Sequence, residues 1–334
     1  MIGTRHAQAL SNTDKADLVA VADPAPSGAA LAEQFGVPLY RDIKAVLESE
    51  KPDGVVISTP TAHHFEPTKT ALEAGCYALV EKPIMATLEE ALRIQEIEAN
   101  SPARILVGHH RRHYSILQRA KEIIASGDIG TLVTVNGQWN TRKNEAYFEP
   151  DWRKAWEAGP ILTNLIHELD ALRFICGEIE SISAEVSNAV RGWEKEDSAA
   201  LILRFRSGVL GTFILSDQTF TPWTWEFGTG ESAHFPKSGQ NSVRFCGTKG
   251  GLEFPNLKLW TASGEVADWN HTTAAKDFAS ELEDAYVNQI EHFADLIRGE
   301  AEPLVSAADA TATLRATLAV YEAAKTGQKI RLSD

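Results

Sequence analysis

The chain has 334 residues with 32 Lys and Arg against 46 Asp and Glu, and its formal net charge is −14. A surface that acidic repels phosphate backbones and anionic lipid, which argues against nucleic-acid and membrane partners. Its 43% apolar and 23% charged residues are the composition of a folded globular protein, and the length suggests about two domains.

The chain begins Met1-Ile2-Gly3 and reads as entering a helix at once. Leu18–Ala22 reads as a buried strand, followed by a helix from Ala29 to Phe35 that stops at Gly36. A short strand at Leu39-Tyr40, a helix from Ile43 to Leu47, a strand at Val55–Ile57 and a helix through Leu72 come next. Ala78–Val80 and Ile105–Val107 are two more apolar strands, separated by a helix from Leu88 to about Ile97. Strands without polar alternation, each followed by a helix, predict a parallel sheet covered on both faces.

All eight tryptophans lie at Trp139 or later, and Gly127-Asp128-Ile129-Gly130 supplies turn residues just before them. This predicts a dinucleotide-binding domain over 1–128 and a substrate-binding and oligomerisation domain over 129–334. Helices are expected around Trp152–Trp156 and over Pro160–Cys176. Alternating strands follow at Ser183–Val190, Ala199–Arg206 and Val209–Leu215, with more near Val243–Cys246 and Gly251–Phe254, and two helices over about 281–298 and 306–325. Strands that alternate can face water on one side, so this second domain reads as α+β with a mostly antiparallel sheet.

Cys76, Cys176 and Cys246 are far apart with no C-x-x-C pair, which is neither a disulfide framework nor a zinc knuckle and fits a reducing cytoplasm. No apolar run approaches the ~20 residues that span a bilayer. The histidines at 63–64 and at 109, 110 and 113 lack a visible closed ligand set, so no metal is expected.

In a doubly wound sheet, ligands bind beyond the carboxyl ends of the strands. Asp23-Pro24, Ser58-Thr59-Pro60-Thr61, Glu81-Lys82-Pro83 and His109–Arg112 all leave strand ends, so chain direction alone puts them on one edge. Asp23 suits an adenosine ribose hydroxyl, or simply a turn or helix cap. No Lys or Arg follows it closely to receive a 2′-phosphate, which favours NAD over NADP. Lys82 is placed to bridge a substrate hydroxyl and a cofactor, or to be a solvated loop lysine. Thr163, His167 and Asp170 share a helical face beside the stripe of Leu162, Leu165, Ile166, Leu169 and Leu172. His167 can take a proton from an alcohol there, or serve as an ordinary core histidine. Trp223 and Trp225, in a Gly-rich region, read either as a substrate lid or as a loop tucked down by its aromatics.

Taken in order, Val19-x-Val21-Ala22-Asp23, Ser58-Thr59-Pro60-x-x-x-His64, Val80-Glu81-Lys82-Pro83, Val107-Gly108-His109-x-Arg111-Arg112 and the stretch from Gly159 to Asp170 resemble the Gfo/Idh/MocA family of NAD(P)-dependent sugar and polyol oxidoreductases. The resemblance implies a Rossmann domain followed by an α+β domain whose large sheet forms dimer or tetramer contacts. It implies that Lys82 polarises the reacting hydroxyl and that His167 is the acid/base. It also implies that Ile2, Gly3, Asp23, Ser58, Thr59, Pro60, His64, Glu81, Lys82 and Arg153 line the cofactor. Thr163, Asp170, Trp223 and Trp225 would join Lys82 and His167 around a sugar or polyol.

Two departures stand out. Thr163 occupies a place where the family often carries an aspartate, so charge support for an imidazolium at His167 falls to Asp170. Only the last glycine of a G-x-G-x-x-G fingerprint is present, as Gly3, so the chain reads as short by about ten residues, roughly one strand and two glycines. These departures support a second reading, a dinucleotide-binding sensor without turnover; a third reading stays within enzymes, an NAD-assisted glycosidase or epimerase.

Overall fold

Uniformly apolar strands need cover on both faces, and strands that alternate need it on one. Both kinds are found in the structure, a computed structural model that describes residues 2–231, 235–279 and 281–332. The elements in chain order are α1 (Ile2–Leu10), β1 (Val21–Ala22), α2 (Ser27–Phe35), β2 (Leu39–Tyr40), α3 (Ile43–Ser49), β3 (Gly54–Ile57), α4 (Phe65–Glu73), β4 (Tyr77–Glu81), α5 (Leu88–Ala99) and β5 (Ile105–Gly108). Next come α6 (Ser115–Ala125), β6 (Leu132–Arg142), α7 (Ile166–Cys176), β7 (Ile179–Ser187), β8 (Ser198–Phe205), β9 (Leu210–Ser216), β10 (Gln218–Trp223) and α8 (Trp225–Thr229). The chain then forms β11 (Val243–Gly247), β12 (Gly250–Phe254), β13 (Lys258–Ala262), β14 (Thr273–Asp277), α9 (Ala285–Ile297), α10 (Ala307–Thr326) and β15 (Ile330–Arg331).

Two units result, Met1–His113 with Glu283–Leu314, and Tyr114–Leu282 with Arg315–Asp334. This differs from the expected split at residue 128 in two ways. α6 belongs to the second unit, where it packs against α7. The first unit takes in α9, because Ile290, Phe293 and Leu296 fill one core with Ala9, Leu79 and Leu106. The cut in sequence fails because a hydrophobic face is buried wherever a partner exists, whatever the distance along the chain.

The first unit is a Rossmann-type unit of parallel strands. β3, β4 and β5 form one sheet and β1 pairs with β2 in another. Ala78, Leu79 and Val80 of β4 are fully buried, as a central parallel strand requires. Only Val21–Ala22 of the expected strand at 18–22 is paired, against Leu39–Tyr40. The helices start where side chains can satisfy exposed N–H groups. Asp42 caps α3 at Ala45 N, Thr87 caps α5 at Glu90 N, and Asp284 caps α9 at Tyr286 and Val287 N.

The second unit is built on a ten-stranded sheet in the order β14-β13-β12-β11-β6-β9-β8-β7-β15, with β10 also paired to β6. All pairings are antiparallel except β6 with β9. The alternation read from sequence puts Leu201, Leu203 and Phe205 of β8 and Phe213 and Leu215 of β9 inside. Ile202, Leu210 and Ile214 of the same strands are exposed. The helix expected around Trp152–Trp156 is instead two short 3-10 turns, Asp151–Lys154 and Trp156–Ala158, broken by extended backbone at Ala155.

Candidate functional site

The parallel register of the first unit fixes what meets at its sheet edge. Ile57 pairs with Val80, Val80 with Val107 and Glu81 with Gly108. Ser58, Glu81-Lys82 and His109 therefore leave three adjacent strands at one level. Glu81 is the buried hub: His6 Nε2 lies 2.6 Å from its Oε1, and its Oε2 accepts from the Lys82 amide at 3.1 Å. Burial pushes the Glu81 carboxyl up, but the hydrogen bond and charge of His6, with Lys82 and His110, outweigh it and hold the group below the usual carboxylate range. His110 stacks on Tyr286, with ring centres 4.6 Å apart. Lys82 is half-buried beside this hub, and its peptide bond to Pro83 is cis.

A folded pKa below the unfolded one means that Glu81 stabilises the first unit above the ordinary carboxylate range, and that this contribution is lost as pH falls through the depressed value. Stability should therefore decline with acid below about pH 5. In His6→Gln that decline should be shallower, because a principal charge holding Glu81 down is gone. Acid-unfolding curves of the two proteins check this.

The expected cofactor residues divide into two kinds. Gly3 sits at the start of α1, where a Cβ would fall 2.9 Å from Ser58 Oγ, so the first turn of the helix closes directly on the end of β3. Half-buried Ile2 precedes it. Asp23 follows β1, and its Oδ1 accepts from Ala25 N at 2.8 Å, which is the turn role; its second oxygen is the one suited to a ribose hydroxyl. A helix start with a carboxylate beyond β1 suits a dinucleotide, whose phosphates favour helix N-termini and whose ribose favours the acid. His64 is of the other kind. It is buried, with Nδ1 facing the carbonyls of Pro83 and Ile84 at 3.0 and 3.2 Å and Nε2 facing that of Thr59 at 2.9 Å. It clips the loop holding Thr59 and Pro60 to the loop after Lys82, so its effect on a cofactor runs through those loops.

In the second unit the expected α-helix over Pro160–Cys176 begins instead as a π turn, Ile161–Leu165, and only then becomes α7. The wider turn changes the phase, so Thr163 is not one regular α turn before His167. Thr163 Oγ1 donates to Gly159 O and to Asn164 Oδ1, each at 2.9 Å. Lys143 Nζ donates to that same Asn164 oxygen at 2.8 Å. His167 and Asp170 are buried on α7.

Glu196 begins this segment: its Oε1 accepts from Ile161 N at 2.8 Å, and Tyr321 donates its hydroxyl to the same carboxylate at 3.2 Å. Burial pushes the Glu196 carboxyl up against those donors and Lys195. A Cβ at Gly159 would collide with both Glu196 oxygens. Gly159→Ala is therefore expected to cost about 1–3 kcal/mol in urea unfolding and to lower turnover, because it pries Glu196 from the segment that leads to His167.

Arg153 Nη1 donates to Tyr147 O at 2.7 Å, and the guanidinium lies over the Tyr147 ring at 4.1 Å. Trp223 on β10 is exposed. Of the two readings of Trp225, its burial favours the tucked-down one. It is buried under the Thr224 cap of α8, against Tyr114 and Phe254, so its indole packs the core. Sequence reading passed over His6, Lys143, Asn164 and Glu196. Only His6 left a signal, three residues after Gly3 and so on the same side of α1. Among the described residues no three His, Cys, Asp or Glu side chains are grouped to hold a metal ion, and no helix is long and apolar enough to cross a membrane.

Residues 1–109 match the profile of the Gfo/Idh/MocA oxidoreductase family, NAD-binding Rossmann fold, and residues 117–253 match the C-terminal domain of that family. A scyllo-inositol 2-dehydrogenase (NAD(+)) of Bacillus subtilis is 28% identical, over 99% of this chain and 93% of its own. A D-glucoside 3-dehydrogenase of Escherichia coli is 24% identical, over 98% of this chain and 93% of its own. In fold, the chain is similar to the WlbA dehydrogenase of Bordetella pertussis, solved with NADH and UDP-GlcNAcA. That TM-score is 0.80 at 21% identity, covering 100% of this chain and 96% of the other.

Proposed function

The chain belongs to the Gfo/Idh/MocA oxidoreductase family, and we propose that it is an NAD-dependent dehydrogenase of a hydroxyl-bearing carbon in a sugar, cyclic polyol or related compound. The observation that carries this is the buried His6–Glu81 pair behind Lys82, at the strand edge where Ser58 and His109 also emerge. Glu81 is held below the usual carboxylate range, so a negative charge lies beside Lys82, whose side chain hydrogen-bonds the substrate oxygen. As the C–H bond breaks, charge builds on that oxygen and the interaction strengthens. His167 takes the hydroxyl proton, and the oxygen's electron pair closes the carbonyl. The hydride acceptor would be supplied by NAD when bound. Ile2, Gly3 and Ser58 are assigned to the pyrophosphate, Asp23 to the adenosine ribose, and Thr59 and Pro60 to the cofactor's edge. Thr163, Asp170 and Trp223 are assigned to the substrate side.

The relatives named for inositol and glucoside dehydrogenation support the substrate class. We further assign the chain to the cytoplasm, and to a homodimer or homotetramer through the outer face of β8 and β9, where Ile202, Leu210 and Ile214 are exposed.

Spectrophotometric screening of NADH formation against sugars, inositols and sugar acids tests the reading. Net NADH in step with substrate consumed is expected. Tight NAD binding without turnover of any compound would indicate a sensor. Product without net NADH would indicate internal reoxidation, as in a glycosidase or epimerase.

A further inference from the structure

Around the turn that leads into α7, the second unit gathers positive charge in a chain whose net charge is −14. Lys143 Nζ lies 4.8 Å and Arg153 Cζ 4.1 Å from the centre of the Tyr147 ring. Arg191 Cζ lies 4.0 Å and Lys195 Nζ 4.8 Å from the centre of the Phe148 ring. The two rings meet edge to face at 5.0 Å, so four cations share one aromatic pair. Lys195 is matched by Asp217 and Arg191 by Glu145. Arg153 is held by a carbonyl and by the rings of Tyr147 and Trp152, and among the described residues its guanidinium meets no carboxylate. Its Nε is buried without a hydrogen-bond partner. Aromatic faces steady a cation but do not neutralise it. Lys143 ties the cluster to the reaction side, through the Asn164 oxygen that also takes the Thr163 hydroxyl, close to His167.

We propose that Arg153 and Lys143 form a recognition site for an anionic group, so that the hydroxylated substrate carries a carboxylate or a phosphate. The inference rests on the dehydrogenase reading and narrows it. A guanidinium offers a planar pair of donors that matches two oxygens of either group, and an ammonium adds a point charge beside it. Arg191 and Lys195, with their own carboxylates, hold the aromatic pair on which the other two cations rest. This assigns Arg153 to the substrate, where the family resemblance placed it near the cofactor.

Calorimetric titration of the NADH-saturated protein with glucuronate, glucose 6-phosphate and glucose separates these readings. At least one of the two anions should bind tenfold or more tightly than glucose, and the better of the two identifies the group. The preference should shrink as salt rises, since screening weakens partly exposed charge pairs. Arg153→Met should remove most of the preference, and Arg153→Lys should keep part of it, with unchanged thermal unfolding confirming that both variants fold. No preference for either anion, through equal binding or none, overturns the proposal. So does an Arg153→Met variant that loses affinity for NADH while keeping the anion preference. Anion-selective binding without any net NADH formation in turnover assays leaves the anion site standing and overturns the dehydrogenase reading instead.

Discussion

Replacing Lys82 with methionine is expected to lower kcat by about 10²–10⁴-fold, the span carried by a positioned proton-transfer or hydroxyl-polarising group. Methionine keeps most of the length and the apolar character of the lysine stem and removes the charge and its donors. NAD affinity should change little, because the residues assigned to the pyrophosphate and adenosine ribose lie at α1, β1 and β3. Glu81 would lose one of the charges that hold its proton affinity down, but it would keep His6 at 2.6 Å. The fold around β4 should therefore survive. Stopped-flow turnover together with fluorescence titration of NADH measures both effects. Full activity in the variant would remove Lys82 from the mechanism, and equal losses of turnover and NADH affinity would make it a cofactor residue.

The second large effect is on stability. Lys195 and Asp217 form an ion pair at 2.8 Å with side-chain exposures of 1% and 0%. Lys195→Met strands the Asp217 carboxylate, leaving it the Gln218 side-chain amide at 2.9 Å. Breaking a buried pair by removing one partner costs about 3–5 kcal/mol, far more than deleting a surface pair. Exchanging both partners for apolar residues of similar size, as Lys195→Met with Asp217→Leu, should recover much of that loss, since neither residue then remains charged in the interior. Urea unfolding of the two variants tests this, and a single variant as stable as the parent would show that water reaches Asp217. The pair joins the segment before β8 to the end of β9, so the single variant should also loosen Phe148 and the aromatic pair around Lys195.

Much of the first unit was legible because its signals are local. Three-residue apolar runs mark β4 and β5, and polar residues follow each strand, so chain direction alone puts Ser58, Lys82 and His109 on one edge. His6 was passed over because its partner Glu81 is 75 residues away, and its spacing from Gly3 places it on one side of α1 without naming that partner. Trp225 stayed open between two readings because a tryptophan beside glycines reads the same whether a loop exposes it or a one-turn helix buries it. The π turn was missed because an inserted residue does not disturb the apolar stripe enough to reveal the change of phase. The Lys143–Arg153–Arg191–Lys195 cluster spans three separate segments that only the sheet of the second unit assembles. Composition could say that the chain is acidic, but not where its cations gather.

The discontinuity of the first unit bears on how the protein is made. Ile290, Phe293 and Leu296 complete the core around Leu79 and Leu106, yet residues 114–282 are synthesised in between. At ribosomal rates of roughly 5–20 residues per second, that interval lasts on the order of ten to thirty seconds. During it, the apolar side of β4 and β5 that α9 will cover has emerged without its partner. The nucleotide-binding half is therefore begun first but completed only after most of the second unit has emerged, and the second unit in turn waits for residues 315–334 and the pairing of β15 with β7.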